Sequence, residues 1–445
     1  MRQSKKRIIF LILLFFLSIK IIHLLNQKGM FWDSAVYIGM GKYIFSLGKV
    51  GLWEPARPLV WPILLGILWK AKLNPIILGR ILELLLSMGC IYLTYLIGKD
   101  IFNENTALLS AFFLAFTPTF LFHSSTLLTG IPSLFFALLA TYFLFKKRYF
   151  LTGLFIGLSF MTRFLQLFII IPFIIFLISK KKKNIINLTL GFTIPMIPYL
   201  ILNLFIYKNP LHPFILQSFM TKYTGWIFHQ PLQFYFINLL KENFLFLFSI
   251  IGAIAILKQK DYRKITILSI FLLFFIFFNL IVHKEMRFIL TFLPYMCLVT
   301  SHGIFKVMKK KKIVIVLGVI WLVLVVNQIK VPNYEEYREF RDYLGNDDVK
   351  TNIWISNPIF IVNTNKKADE LIYYPLYNSK KIDQLKNNLN KAGHILINTC
   401  DILPCPPEDT YCPEKTSAFI SHLKDNFRTI YHKKENNCEE FIFSL

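Results

Sequence analysis

Acidic side chains are scarce over the first three quarters of this 445-residue chain, which narrows the search for chemistry. Residues 1–330 contain eight of them: Asp33, Glu54, Glu83, Asp100, Glu104, Glu242, Asp261 and Glu285. A carboxylate can act as general base toward a hydroxyl nucleophile if it is held where that hydroxyl arrives. Asp33 lies in the stretch Gly29–Pro62, between Trp32 and Ser34 and ahead of the amphipathic run Ala35–Phe45. It reads either as such a base or as an acid favoured by the dipole at a helix N-terminus. Glu54 and the corner Ala56-Arg57-Pro58-Leu59 share the stretch.

His283-Lys284-Glu285-Met286-Arg287-Phe288 forms a second group, with three potential cations and one acid in a short turn. Snorkelling of helix-end side chains toward lipid headgroups accounts for the cations alone. The acid set among them points to an ordered site, and Arg and Lys so placed suit a phosphate. Arg57, Arg80 and Arg163 are further cations that can face the same place, although each taken singly also has a structural reading. Glu83, three residues from Arg80, reads as half of an ion pair along one helix.

The elements that must position these groups are membrane helices. A chain that is 55% hydrophobic and 17% charged is not an ordinary soluble protein. Apolar runs recur from Ile8 to Ile329, many near the roughly 20 residues that cross a bilayer. The net charge of +25 resides in residues 1–330, which hold 36 of the 50 Lys and Arg, in short blocks between apolar runs. That is the signature of the positive-inside rule and not of a nucleic-acid groove. Arg2, Lys5, Lys6 and Arg7 precede the first run, so the N-terminus is expected in the cytoplasm, with no cleaved signal peptide. Alternation from there gives about eleven spans. The blocks Lys99–Asn105, Lys146–Arg148, Lys180–Lys183, Lys258–Lys264 and Lys306–Lys312 all fall inside, and the loop 26–74 falls outside. The run Leu151–Phe176 is expected to split at Thr162-Arg163.

Beyond Lys330 the composition turns polar. Residues 331–445 read as a small α/β domain outside the membrane. Helical patterns occur near Tyr334–Leu344, Ile382–Asn390 and Lys415–Phe427, and strand-like runs at Thr351–Ser356, Leu371–Tyr374, His394–Asn398 and Phe441–Phe443. Cys400, Cys405, Cys412 and Cys438 fit disulfides in an oxidising compartment, with three pairings open. Zinc fits less well without a C-x-x-C pair. Cys90 and Cys297 read as buried thiols.

Asp33 in the first outer loop, followed by Arg57-Pro58-Leu59 and Pro62, resembles the GT-C superfamily of membrane glycosyltransferases. Leu127–Phe136 and Gly153–Arg163 are similar to its protein-mannosyltransferase-like branch. His283-Lys284-Glu285 with Arg287-Phe288 resembles the H-K-E-x-R-F signature of dolichyl-phosphate-mannose-dependent mannosyltransferases. The resemblance covers roughly residues 1–330 and implies inverting transfer of a sugar, mannose or another hexose, from a polyprenyl (dolichyl) phosphate to a hydroxyl on a glycan, lipid or protein acceptor. It implies Asp33 as catalytic base and His283, Lys284, Arg287 and Arg163 as ligands of the donor phosphate. Glu54, Arg57, Arg80 and Glu285 are then acceptor-side or supporting residues.

Two positions depart from the family pattern. Ser34 follows Asp33 where many relatives have a second acid, and Gly130 stands where many have an acid in the second outer loop. No metal and no cofactor are therefore expected. The W-W-D motif of the oligosaccharyltransferase branch is absent. The expected location is the cell membrane, or the endoplasmic reticulum membrane in a eukaryote, with the C-terminal domain extracytoplasmic. A lipid or glycan transporter or flippase, or a partner subunit without activity, would account for the spans but less well for the acid-bearing loop and the charged turn.

Overall fold

The computed structural model describes residues 2–178, 182–308, 310–346, 349, 352–403, 405–435 and 437–445. Lys180, Lys181, Lys309 and Thr351 of the segments named above lie outside the described residues, as do the side chains of Arg2, Lys5, Lys6, Lys182 and Lys311.

The apolar runs are helices, and their ends follow the local chemistry. Helix α1 spans Arg2–Asn26, α2 Trp32–Phe45, α3 Val60–Lys70, α4 Pro75–Ile101, α5 Glu104–Phe116, α6 Pro118–His123, α7 Gly130–Phe145 and α8 Tyr149–Phe160. Then come α9 (Ile170–Ile178), α10 (Lys182–Tyr207), α11 (His212–Thr224), α12 (Phe234–Glu242), α13 (Phe248–Gln259), α14 (Tyr262–Leu280), α15 (Leu293–Val307) and α16 (Lys311–Val325). Asn74 starts α4 by accepting the N–H groups of Ile76 and Ile77, with Pro75 in the first turn where its missing N–H costs nothing. Asp261 caps α14 in the same way through the N–H of Arg263. Pro118 divides the apolar run 106–122 into α5 and α6. The run Leu151–Phe176 breaks between Phe160 and Phe164, with Arg163 extended at the break.

Helices α1, α4, α10 and α14 are each long and apolar enough to cross a membrane by length and composition, and the remaining apolar helices are shorter. Close packing fixes the pairing of α8 with α10. A Cβ at Gly153 would lie 1.8 Å from the Leu188 carbonyl oxygen, and one at Gly191 would lie 2.0 Å from that of Phe150. Only glycines let the two backbones meet so closely, which is how helices associate where apolar burial gives no drive. Glu83 does not depend on Arg80 for its hydrogen bond: its Oε2 accepts the Leu127 N–H at 2.6 Å. Cys90 and Cys297 are free and buried.

Among the described residues the C-terminal region is built on five strands: β1 (Ile353–Ile355), β2 (Ala368–Leu371), β3 (His394–Asn398), β4 (Arg428–Glu435) and β5 (Cys438–Ser444). Their order is β2-β1-β3-β5-β4, with β1 parallel to β2 and β3, and β5 antiparallel to β3 and β4. Helices Ser379–Asn387 and Cys412–Asn426 cover one face over a core that includes Ile395, Ile397, Phe419, Leu423 and Phe443. The strand expected at Leu371–Tyr374 is displaced toward the N-terminus, because Pro375 lies in a short 3-10 turn at Tyr374–Leu376. Strand β4 has no apolar alternation; as an edge strand it is exposed over most of its length.

Cys400 is bonded to Cys438 and Cys405 to Cys412. The first closes a separation of 38 residues and the second one of 7. Loop-closure entropy then assigns about 4 kcal/mol to the first and about 2.5 kcal/mol to the second. The pair Cys400→Ser/Cys438→Ser is expected to lower resistance of this region to proteolysis in urea more than Cys405→Ser/Cys412→Ser. Equal loss in both pairs would contradict that ranking.

Candidate active site

The geometry around Asp33 begins with a turn. After α1 the chain passes Gly29 at φ +59°, where a Cβ would sit 2.3 Å from the Tyr334 carbonyl oxygen, so only glycine fits. Helix α2 then starts with Phe31 at its N-cap, without a side-chain cap. Asp33 lies in the first turn, but its carboxylate is not a cap. Its Oδ1 accepts Arg57 Nη2 at 2.8 Å and its Oδ2 accepts Arg287 Nη1 at 2.6 Å. Ser34, beside it, donates to the Thr126 carbonyl at 2.5 Å.

Each arginine is shared with a second acid. Arg57 Nε lies 2.9 Å from Glu54 Oε2, and Arg287 Nη2 lies 2.8 Å from Glu285 Oε1. Each of these acids has its own further partner. The Tyr373 hydroxyl donates to Glu54 Oε1 at 2.6 Å, and His283 Nε2 lies 2.7 Å from Glu285 Oε1. His283 is held flat against Phe228 with ring centroids 4.4 Å apart, and the Tyr235 hydroxyl accepts the Glu285 N–H at 3.1 Å. The result is one chain of alternating charge, Tyr373–Glu54–Arg57–Asp33–Arg287–Glu285–His283.

The charges set the protonation states. Burial by itself would raise the Asp33 carboxyl, but Arg57 and Arg287 outweigh it and hold that group well below the usual carboxylate range. For Glu285 burial again raises, while Arg287 and His283 prevail and hold it down to about 2. Burial disfavours the charged form of Arg287, and Glu285 and Asp33 more than restore it.

Arg163 completes the cluster from another direction. Its guanidinium lies 5.1 Å from the centre of the Phe288 ring, and that of Arg287 lies 5.9 Å from the same ring. Among the described residues no carboxylate pairs with Arg163. A Cβ at Gly130 would be 3.8 Å from Arg163 Nη1. The same Cβ would meet Leu290 Cδ1 at 2.9 Å, so glycine at 130 packs against Leu290 and places no side chain on this guanidinium.

Lys284 and Arg80 have backbone partners of their own beside this chain of charges. Lys284 is buried, and its Nζ donates to the Gln230 carbonyl at 3.0 Å. The backbone is extended at Glu285, and His283 forms a bridge with His229. Successive side chains on extended backbone point to opposite sides, so His283 and Glu285 share one side while Lys284 takes the other. Arg80 is spent on the Gly29 carbonyl at 2.5 Å and supports the turn before Asp33.

Tyr373 and Tyr37 belong to the site without having been singled out in the sequence. Tyr37 places its hydroxyl 3.4 Å from Arg57 Nη1, and its position one turn after Asp33 on α2 is the signal that could have found it. Tyr373 comes from the C-terminal region and also packs on Trp32 at 4.8 Å. Lys42 Nζ donates to the Val362 and Thr364 carbonyls at 2.5 and 3.0 Å. Gly51 pairs with the backbone of Lys366 and Ala368. These contacts clasp the C-terminal region to the loop that carries Glu54 and Arg57. Among the described residues no three His, Cys, Asp or Glu side chains gather as a metal-holding group.

Residues 56–207 match the family model described as dolichyl-phosphate-mannose-protein mannosyltransferase. The fold is similar to that of ArnT from Cupriavidus metallidurans bound to undecaprenyl phosphate, at 7% identity, TM-score 0.66 and 97% of each chain covered. It is also similar to the archaeal oligosaccharyltransferase AglB from Archaeoglobus fulgidus in complex with an inhibitory peptide and a dolichol-phosphate. There the identity is 12% and the TM-score 0.63, over 89% of this chain and 69% of that one. No curated protein matches in sequence.

Proposed function

We propose, for a chain with the fold of the GT-C membrane glycosyltransferases, that it transfers a sugar from a polyprenyl phosphate to a hydroxyl acceptor. Asp33 takes the proton of the acceptor hydroxyl as its oxygen bonds to the anomeric carbon. The bond from that carbon to the phosphate oxygen breaks, and its electron pair leaves with the lipid phosphate. Attack from the face opposite the leaving group inverts the anomeric centre. A phosphate leaves without needing a proton, so cations and not a general acid stabilise the departing charge. Arg163 and Arg287 fill that role, with Arg287 held by Glu285 and Glu285 in turn by His283. The observation that carries this reading is a carboxylate fixed between two arginines, with a third arginine beside them that forms no ion pair among the described residues.

The family match over residues 56–207 supports mannose as the sugar, with another hexose as the alternative. The basic blocks support a cytoplasmic N-terminus and an extracytoplasmic site in the cell membrane. The test is incubation of the purified protein with radiolabelled polyprenyl-phosphate mannose, or glucose, and membrane extract as acceptor source. Label is expected in an extract component, with an inverted anomeric configuration and release of polyprenyl phosphate. Movement of the lipid between leaflets, with no transfer from any such donor, would replace this reading by a transporter.

A further inference from the structure

We infer that Asp33 and the donor phosphate compete for Arg287, so that donor binding itself unmasks the base. This deepens the reading just given and rests on it. Both carboxylate oxygens of Asp33 are occupied, Oδ1 by Arg57 and Oδ2 by Arg287. A carboxylate so held is a weak proton acceptor, because a general base works best when its proton affinity is near that of its surroundings. The resting site is therefore locked, and a guanidinium must leave before the acceptor can be deprotonated.

Arg287 is built to leave. Its Nη2 already rests on Glu285 Oε1 at 2.8 Å, and Glu285 is anchored independently by His283 and Tyr235. Its Nε is buried and has no hydrogen-bond partner among the described residues. Arg287 can thus give up Asp33 and still keep a carboxylate, while a new anion would gain a donor that is idle at present. That anion is the donor phosphate. It is drawn first by Arg163, the guanidinium over the Phe288 ring that forms no ion pair among the described residues, and Arg287 stands over the same ring. Guanidinium and phosphate oxygens match in two-point contacts, so phosphate is a competent rival to a carboxylate for this group. Arg57 stays on Asp33 and on Glu54, which Tyr373 holds. Glu285 is on this account a positioning residue that keeps Arg287 in reach of both rivals. The order of events follows: donor first, acceptor deprotonation second.

Competition makes a prediction that misfolding cannot imitate. The dissociation constant of a polyprenyl phosphate is measured on detergent-purified wild type, Asp33→Asn, Arg287→Ala and the double variant. Removing the rival carboxylate is expected to tighten binding by about tenfold in Asp33→Asn, the scale of one charge-assisted contact. In the Arg287→Ala background the same substitution is expected to change nothing. Unchanged or weaker binding in Asp33→Asn, where the wild type binds, overturns the competition but leaves the glycosyltransferase reading standing. Tightening that persists without Arg287 also overturns it, since lost negative charge alone would then be the cause. A wild type that binds no polyprenyl phosphate brings down both.

Discussion

Asp33→Asn is expected to remain folded and to transfer sugar roughly 10²–10⁴-fold more slowly than the wild type, the range for loss of a general base. Removing one member of a buried ion pair ordinarily costs several kcal/mol, because the partner is left alone. Here neither partner is left alone, since Arg57 retains Glu54 and Arg287 retains Glu285. The α2 N-terminus does not rely on the carboxylate either, because no side chain caps it. Transfer from radiolabelled polyprenyl-phosphate sugar, read beside the thermal unfolding of the same preparation, separates chemistry from folding. Near-normal transfer in Asp33→Asn would remove the base assignment and move it to Glu54 or Glu285. Glu54 is not a neutral comparator for that experiment, as it is 2% exposed and bound to Arg57 and Tyr373.

Arg163→Ala carries the second large effect, and it falls on the donor alone. A charge-assisted contact to phosphate is worth about 1.5–3 kcal/mol, so the donor KM is expected to rise about 10–100-fold while the acceptor KM holds. Because Arg163 pairs with no carboxylate among the described residues, its removal orphans nothing. Unfolding is expected near the wild-type temperature, since losing the Phe288 contact and losing a like-charged neighbour of Arg287 act in opposite directions. Steady-state kinetics with donor and acceptor varied in turn checks this. A change confined to the acceptor KM would place Arg163 on the other substrate.

The membrane bundle was legible because its signals are local: apolar runs of spanning length and basic blocks between them. Asp33, Arg57, Glu285 and Arg287 stood out for a related reason, since charge is rare in such a chain and a cluster of it needs an account. The handedness of the charged turn was not legible. His283 and Glu285 share a side and Lys284 does not, a distinction set by extended pairing of His283 with His229 more than fifty residues earlier. Tyr373 was out of reach for a stronger reason: its partner Glu54 is 319 residues away, and no pattern around either residue records the meeting. Strand β4 escaped because an exposed edge strand has no buried face to impose alternation on its sequence.

The clasp between residues 42–54 and 362–373 bears on how chains of this architecture exchange parts. A C-terminal cap that merely sat above the bundle would be interchangeable, and acceptor preference could be altered by grafting one cap onto another membrane half. Here Lys42 and Gly51 dock on the cap's backbone, and its Tyr373 supplies a hydrogen bond to Glu54, two links from Asp33. A graft that stops at Lys330 would separate Glu54 from the residue that orients it. The transplantable unit is the cap together with the first long loop, two segments far apart in the gene that must be inherited as a pair.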